Sequence, residues 1–139
     1  MKAYERIDHT ADIGIRVYAP SLKKLFENAA RAAFDVIAKP FRTTTPNDSK
    51  TFKIQLKENN TEELLVRWLG ELISLSDWKK IIFTEFNIMD FSETEIRAAV
   101  KGFPRKDFTI LTEIKAVTYH ELKIKKEKSR YAVQIIFDV

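Results

Sequence analysis

Cysteine is absent from the 139 residues. Disulfide staples, thiolate zinc sites and a cysteine nucleophile are excluded together. Histidine occurs only at His9 and His120, and neither stands in a His-x-x-x-His or Glu-x-x-His pair. The ligand spacing of a zinc hydrolase is therefore missing. Three glycines and four prolines leave little flexible linker. Gly14, Gly70 and Gly102 are isolated, so there is no phosphate-cradling glycine loop and no Gly-x-Ser-x-Gly elbow. Apolar runs are short and interrupted, far below the roughly 20 residues of a membrane span. The opening Met1-Lys2-Ala3-Tyr4-Glu5-Arg6 has no apolar signal-peptide core. A soluble, cytoplasmic protein with no membrane contact is expected.

What is present suits one domain over 1–139. Apolar residues make up 45% and charged residues 32% of the chain, an ordinary globular balance. A chain of this size can fold around a single core without staples. The net charge of +4, from 24 basic and 20 acidic residues, permits a phosphate-binding surface without demanding one.

Residues 12–18 alternate, with Ile13, Ile15 and Val17 on one face and Asp12, Gly14, Arg16 and Tyr18 on the other, the pattern of a half-buried strand. A short strand over 3–8 precedes it. Ser21 is the expected N-cap of a helix whose apolar stripe runs Leu22, Leu25, Phe26, Ala29, Ala33, Val36, Ile37, with Lys39-Pro40 as its stop. A polar loop over 40–50 leads to a strand at 51–57. Asn60 or Thr61 caps a second helix, lined by Leu64, Leu65, Trp68, Leu69, Leu72 and Leu75. Gly70 inside it costs about 1 kcal/mol of helix propensity, and a close approach by a neighbouring element is the expected reason. Strands are predicted at 81–89, 94–101, 115–125 and 131–138, with 102–107 as a loop and 127–130 as a hairpin turn. The fold class is α+β: two main helices packed on mostly antiparallel sheet, sandwich-like.

The residues that could carry chemistry cluster at the two ends. Asp12 opens its strand and Asp138 closes the last one, both off the main apolar face. Val139 adds a main-chain carboxylate beside Asp138. Carboxylates brought together repel unless a cation or protons intervene, and oxygen donors suit Ca²⁺, Mg²⁺ or Mn²⁺. The residues alone also admit a plainer account, in which Asp12 caps a turn and Asp138 is a solvated terminus. His9 is open between a turn hydrogen bond and a metal contact. Lys115 is open between an exposed strand-end lysine and a cation for phosphate or a partner carboxylate. The basic run 122–130 could touch RNA phosphates, but a hairpin tip charged for solubility accounts for it as well.

His9-Thr10-Ala11-Asp12-Ile13-Gly14-Ile15, Leu25-Phe26-Glu27-Asn28-Ala29-Ala30, Leu64-Leu65-Val66 with Trp68-Leu69 and Glu71-Leu72, Ile114-Lys115-Ala116-Val117-Thr118-Tyr119-His120 and the closing Phe137-Asp138-Val139 together resemble the archease family over essentially the whole chain. The resemblance implies a small protein that assists the tRNA-splicing RNA ligase. Such a protein promotes guanylylation of the ligase and its multiple turnover, without being a ligase or holding catalytic residues itself. It implies a divalent-metal site, with Asp12, Asp138 and Val139 as ligands and calcium ahead of magnesium or manganese. Lys115 becomes an activity-supporting residue and His9 an orienting one. Direct tRNA contact is at most weak or indirect. The alternative is a chaperone-like or RNA-binding modulator of a tRNA modification enzyme such as a tRNA methyltransferase. Arg67 stands where the family pattern is commonly acidic, and Ser76 where it is commonly aromatic.

Overall fold

A computed structural model describes residues 3–9, 12–41 and 48–139. Thr10 and Ala11 of the first motif, residues 42–47 of the expected polar loop and the side chains of Asp8 and His9 lie outside the described residues.

The alternating segment forms strand β2 (Asp12–Ala19), preceded by β1 (Tyr4–His9). Helix α1 (Leu22–Ile37) begins where expected: the Ser21 side chain accepts from the Lys24 backbone N–H at 3.2 Å. Chain order continues through β3 (Ala38–Pro40), β4 (Lys50–Lys57), α2 (Thr61–Lys79), β5 (Ile81–Phe91) and β6 (Glu95–Pro104). A 3₁₀ turn at Arg105–Asp107 leads to β7 (Phe108–Ile110), β8 (Ala116–Val117), β9 (Lys125–Glu127) and β10 (Arg130–Asp138).

Among the described residues the strands form three antiparallel sheets. The main one has the order β1-β2-β10-β8, with β9 also on β10. A second runs β4-β6-β5, and β3 pairs β7 in a small ribbon. This is the expected α+β sandwich of two helices on antiparallel sheet.

Helix α1 packs on β2 of the main sheet and on β5 of the second. That double coverage explains why its buried set exceeds one stripe and includes Ala30, Ala32 and Phe34. Its one buried amide, Asn28, donates through Nδ2 to the Tyr18 carbonyl at 2.8 Å, which satisfies it and ties the helix to β2. Trp68 of α2 is fully buried, and its Nε1–H donates to the Phe26 carbonyl of α1 at 3.0 Å. The large apolar body thus enters the core without stranding its polar atom.

Helix α2 is capped by Asn60, which accepts from the Glu63 N–H at 2.9 Å. It ends at Lys80, held in the left-handed region at φ 57°. The two departures from the family pattern have local partners here. Arg67 pairs with Glu58 at 2.8 Å. Ser76 is buried, and its hydroxyl donates to the Ile81 carbonyl just beyond the helix end.

Four expectations need correction. The segment 115–125 is not one strand: β8 is two residues long, and the chain then turns through Glu121, which adopts φ 53°. Residues 102–104 continue β6 rather than forming a loop, because Gly102 sits opposite Phe83 and Pro104 opposite Ile81 in the ladder. Lys39-Pro40 does end α1, but the chain passes directly into β3, whose partner β7 was not expected. No neighbour crowds Gly70, where an added Cβ would meet nothing within 4 Å. The crowded glycine is Gly102, where a Cβ would lie 2.3 Å from the Ile82 carbonyl oxygen.

Gly102→Ala is therefore expected to destabilise by about 2 kcal/mol or more, since backbone must move. Gly70→Ala should stabilise by up to about 1 kcal/mol. Urea unfolding of the two variants should move in opposite directions.

Tyr4 ties the edge strand β1 to α1 by donating its hydroxyl to the Asp35 carboxylate. Burial first, then the hydrogen bond and charge of Asp35, push its pKa from 10.0 up to about 12, with Arg31 acting against them. The fold thus favours the protonated phenol. That contribution is complete below pH 10.0 and is lost as pH rises through about 12. Alkaline urea titrations should show a steeper loss of stability for the parent protein than for Tyr4→Phe, with phenolate absorbance reporting the ionisation.

Candidate functional site: the acidic row of the main sheet

Strand β10 pairs β2 without a register shift from Tyr131↔Ala19 to Asp138↔Asp12. The last rung places the two aspartates directly opposite one another. Directly opposed residues of an antiparallel pair share a face, so both carboxylates stand on the side away from the helices. The other side carries Ile13, Ile15 and Val17 against Val133, Ile135 and Phe137, all buried. The period of two that buries these side chains is the reason Asp12 and Asp138 face outward.

The same rung extends across the sheet. Backbone register sets His9 of β1 opposite Asp12 and Ala116 of β8 opposite Asp138. The Lys115 backbone N–H donates to the Asp138 carbonyl at 2.8 Å, fixing the penultimate motif to the end of β10. Asp138 is exposed and Asp12 half-buried. Neighbouring on this face is an apolar row, Ile7 opposite Gly14 opposite Ile136. Here the absent Gly14 side chain leaves room for the Ile136 methyl, which would lie 3.0 Å from a Cβ.

Five residues were singled out from sequence, and their backbones converge. Asp12, Asp138 and His9 share one rung, Val139 follows Asp138, and Lys115 is hydrogen-bonded to it. The side chain of His9 lies outside the described residues. Two opposed carboxylates are a hard-oxygen donor pair, chemically suited to a hard divalent cation. Among the described residues no group of three or more histidine, aspartate or glutamate side chains gathers to hold a metal.

One feature of the region has no sequence signal. Lys115 also borders a cleft of about 320 Å³ between the end of α2 and the 105–115 segment. Its floor includes Ile73, Ile82 and Ile114, and its rim carries Arg105, paired with Glu113 at 3.1 Å and Asp77 at 3.6 Å. These residues come from separate elements, so no spacing along the chain reveals them.

The model of the archease protein family (MTH1598/TM1083) matches residues 4–139. The chain belongs to the archease family. The protein archease of Methanosarcina barkeri is 38% identical over 99% of this chain and 97% of its own length. The solution structure of Methanobacterium thermoautotrophicum protein 1598 covers 100% of both chains at 28% identity with a TM-score of 0.75. The crystal structure of a Thermotoga maritima archease, described as a possible chaperone, shares the fold at 21% identity, a TM-score of 0.69 and 97% coverage of this chain and 96% of its own. The fold is common to this chain and the two solved structures, and in this chain it sets Asp12 against Asp138.

Like charges directly opposite on one face are destabilising. Asp138→Asn should raise stability in metal-free, low-salt buffer by a fraction of a kcal/mol, and the gain should shrink as salt is added. Thermal unfolding with a chelator present measures both effects.

Proposed function

We propose that this chain is a non-catalytic protein activator of the tRNA-splicing RNA ligase, acting in the cytoplasm through a divalent-metal site at the acidic row. The observation that carries this reading is the Asp12↔Asp138 rung, which presents two carboxylates along the end edge of the main sheet, where its inner strands β2 and β10 meet. Asp12 and Asp138 hold the ion, with the main-chain carboxylate of Val139 as third ligand and calcium as the preferred metal. His9 orients the first loop beside them. A bound divalent ion would supply concentrated positive charge toward phosphate or carboxylate oxygens at this edge. Lys115 offers a second cation from a backbone fixed to Asp138.

Docking of this edge against the ligase stabilises the ligase conformation competent to receive GMP from GTP. A tenfold shift toward that conformation needs about 1.4 kcal/mol of preferential binding to it. No residue of the chain takes part in bond making in this scheme. No described helix is long and apolar enough to cross a membrane.

The description of the Thermotoga relative as a possible chaperone supports the second reading, a chaperone-like modulator of a tRNA modification enzyme. The exposed large apolar side chains Phe41, Trp78, Met89, Leu111 and Tyr119 come from five different segments of the described chain.

Guanylylation of the purified ligase, timed with and without saturating protein, tests the proposal. Acceleration and repeated turnover are expected, falling at least about tenfold with Asp138→Asn or Lys115→Ala. An unchanged rate would remove the activator function. Calorimetric titration with Ca²⁺, Mg²⁺ and Mn²⁺ tests the ion separately. Residues appended after Val139 should weaken binding while leaving the melting curve of the metal-free protein unchanged.

A further inference from the structure

The outer face of the main sheet carries a second feature, four residues along β10 from the acidic row. At about 3.3 Å per residue that is about 13 Å. Here the segment 119–125 and the β9–β10 hairpin rise beside the sheet and enclose an open groove of about 700 Å³. Its walls include Arg16, Tyr18, Tyr119, Lys123, Lys125 and Arg130. Among the described residues that line the groove, the carboxylates are Glu121 and Glu127, against the four cations Arg16, Lys123, Lys125 and Arg130. We propose that this groove binds a short stretch of single-stranded RNA directly, through lysine contacts to phosphates and tyrosine stacking on bases.

The charges differ in how they are engaged. Arg16 is held by Glu5 at 3.1 Å and donates to Gln134 at 3.2 Å. Arg130 is held by Glu127 at 3.2 Å, and its guanidinium lies over the Tyr18 ring, 4.1 Å from the centroid. These two arginines already have carboxylate partners. Lys123 and Lys125 make no ion pair among the described residues and are exposed. Their charges are available to an incoming polyanion.

The aromatic groups decide the chemistry of that polyanion. Tyr119 is 62% exposed at the groove mouth. It sits at the start of a turn closed by the Leu122 N–H donating to its carbonyl at 3.1 Å, with Glu121 in the left-handed region. The turn is anchored at its far end, where the Ile124 N–H donates to the Glu62 carboxylate of α2 at 3.2 Å. A positioned, solvent-facing ring beside unpaired lysines is the pairing that tracks a single strand, because every base has a face to stack. An acidic peptide could also answer the lysines, and base stacking on the exposed ring is what favours a nucleic-acid strand. The basic run 122–130 supplies only one wall. Arg16 and Tyr18 come from β2, which is why the run alone reads as a solubilising hairpin.

The inference stands without the ligase reading, and its test needs no ligase. Fluorescence anisotropy of a labelled single-stranded oligouridylate should show binding at low salt. The logarithmic salt slope should flatten by about 0.7 for each phosphate contact removed by Lys123→Ala or Lys125→Ala. Tyr119→Ala should weaken binding roughly tenfold, and Tyr119→Phe should restore it. Asp138→Asn should leave affinity unreduced, separating this groove from the acidic row. All the substituted side chains are exposed, and circular dichroism checks that the variants fold. No binding at low salt would overturn the proposal. So would binding indifferent to Lys123, Lys125 and Tyr119, which would place RNA elsewhere. A poly-glutamate peptide that binds the groove while RNA does not would make it a protein-docking surface and equally refute the proposal.

Discussion

The unbroken ladder between β2 and β10 is the constraint on which the molecule depends. Side chains on a strand alternate with a period of two, so a slip of one residue would turn every buried group outward. Ile15, Val17, Ile135 and Phe137 leave almost nothing exposed, so such a slip would expose a large part of the core. The energetic demand of the core therefore fixes the meeting of Asp12 and Asp138, although neither contributes to it. The apolar rungs below hold these two carboxylates opposite one another. Unfavourable local features that persist because the surroundings determine them are a common mark of functional positions.

The helices serve the same end from the other side. Helix α1 is packed between two sheets and could not tolerate the wide polar face of an ordinary surface helix. Its burial sets the depth of β2 and β5, with Asn28 and Trp68 providing hydrogen-bonded ties across the layers. Helix α2 is pinned at both ends. Thr61 donates to the Glu93 carbonyl at 2.9 Å near its start, and the Arg105 N–H donates to the Lys80 carbonyl at 2.8 Å beyond its end. The result is a rigid scaffold behind a chemically varied outer face, the arrangement that lets a site keep its geometry when a partner arrives.

Much of this was legible in the residues. The alternation of 12–18 identified β2 and its faces, Ser21 and the pair Asn60-Thr61 marked the helix starts, and the aspartates were visible as strand-end residues off the apolar face. That they meet was not legible, because register over such a separation depends on the whole ladder. The three-residue strands β3 and β7 are too short to show a period, so their pairing was invisible. Residues 115–125 look like a strand because Ile114, Ala116, Leu122 and Ile124 are apolar, yet a left-handed residue at Glu121 breaks the run. Gly70 and Gly102 have the same composition signal and opposite surroundings, which only the packing distinguishes. The groove escaped because its two walls are more than a hundred positions apart.

That separation has a consequence for biosynthesis. β2 ends at Ala19 and its partner β10 begins at Arg130, so the middle of the main sheet stays vacant while the intervening chain is made. At about 5–20 residues per second the wait is on the order of ten seconds. During it, the edge of β2 that β10 will cover is an open template for stray pairing. The acidic rung can close only after translation has passed β10.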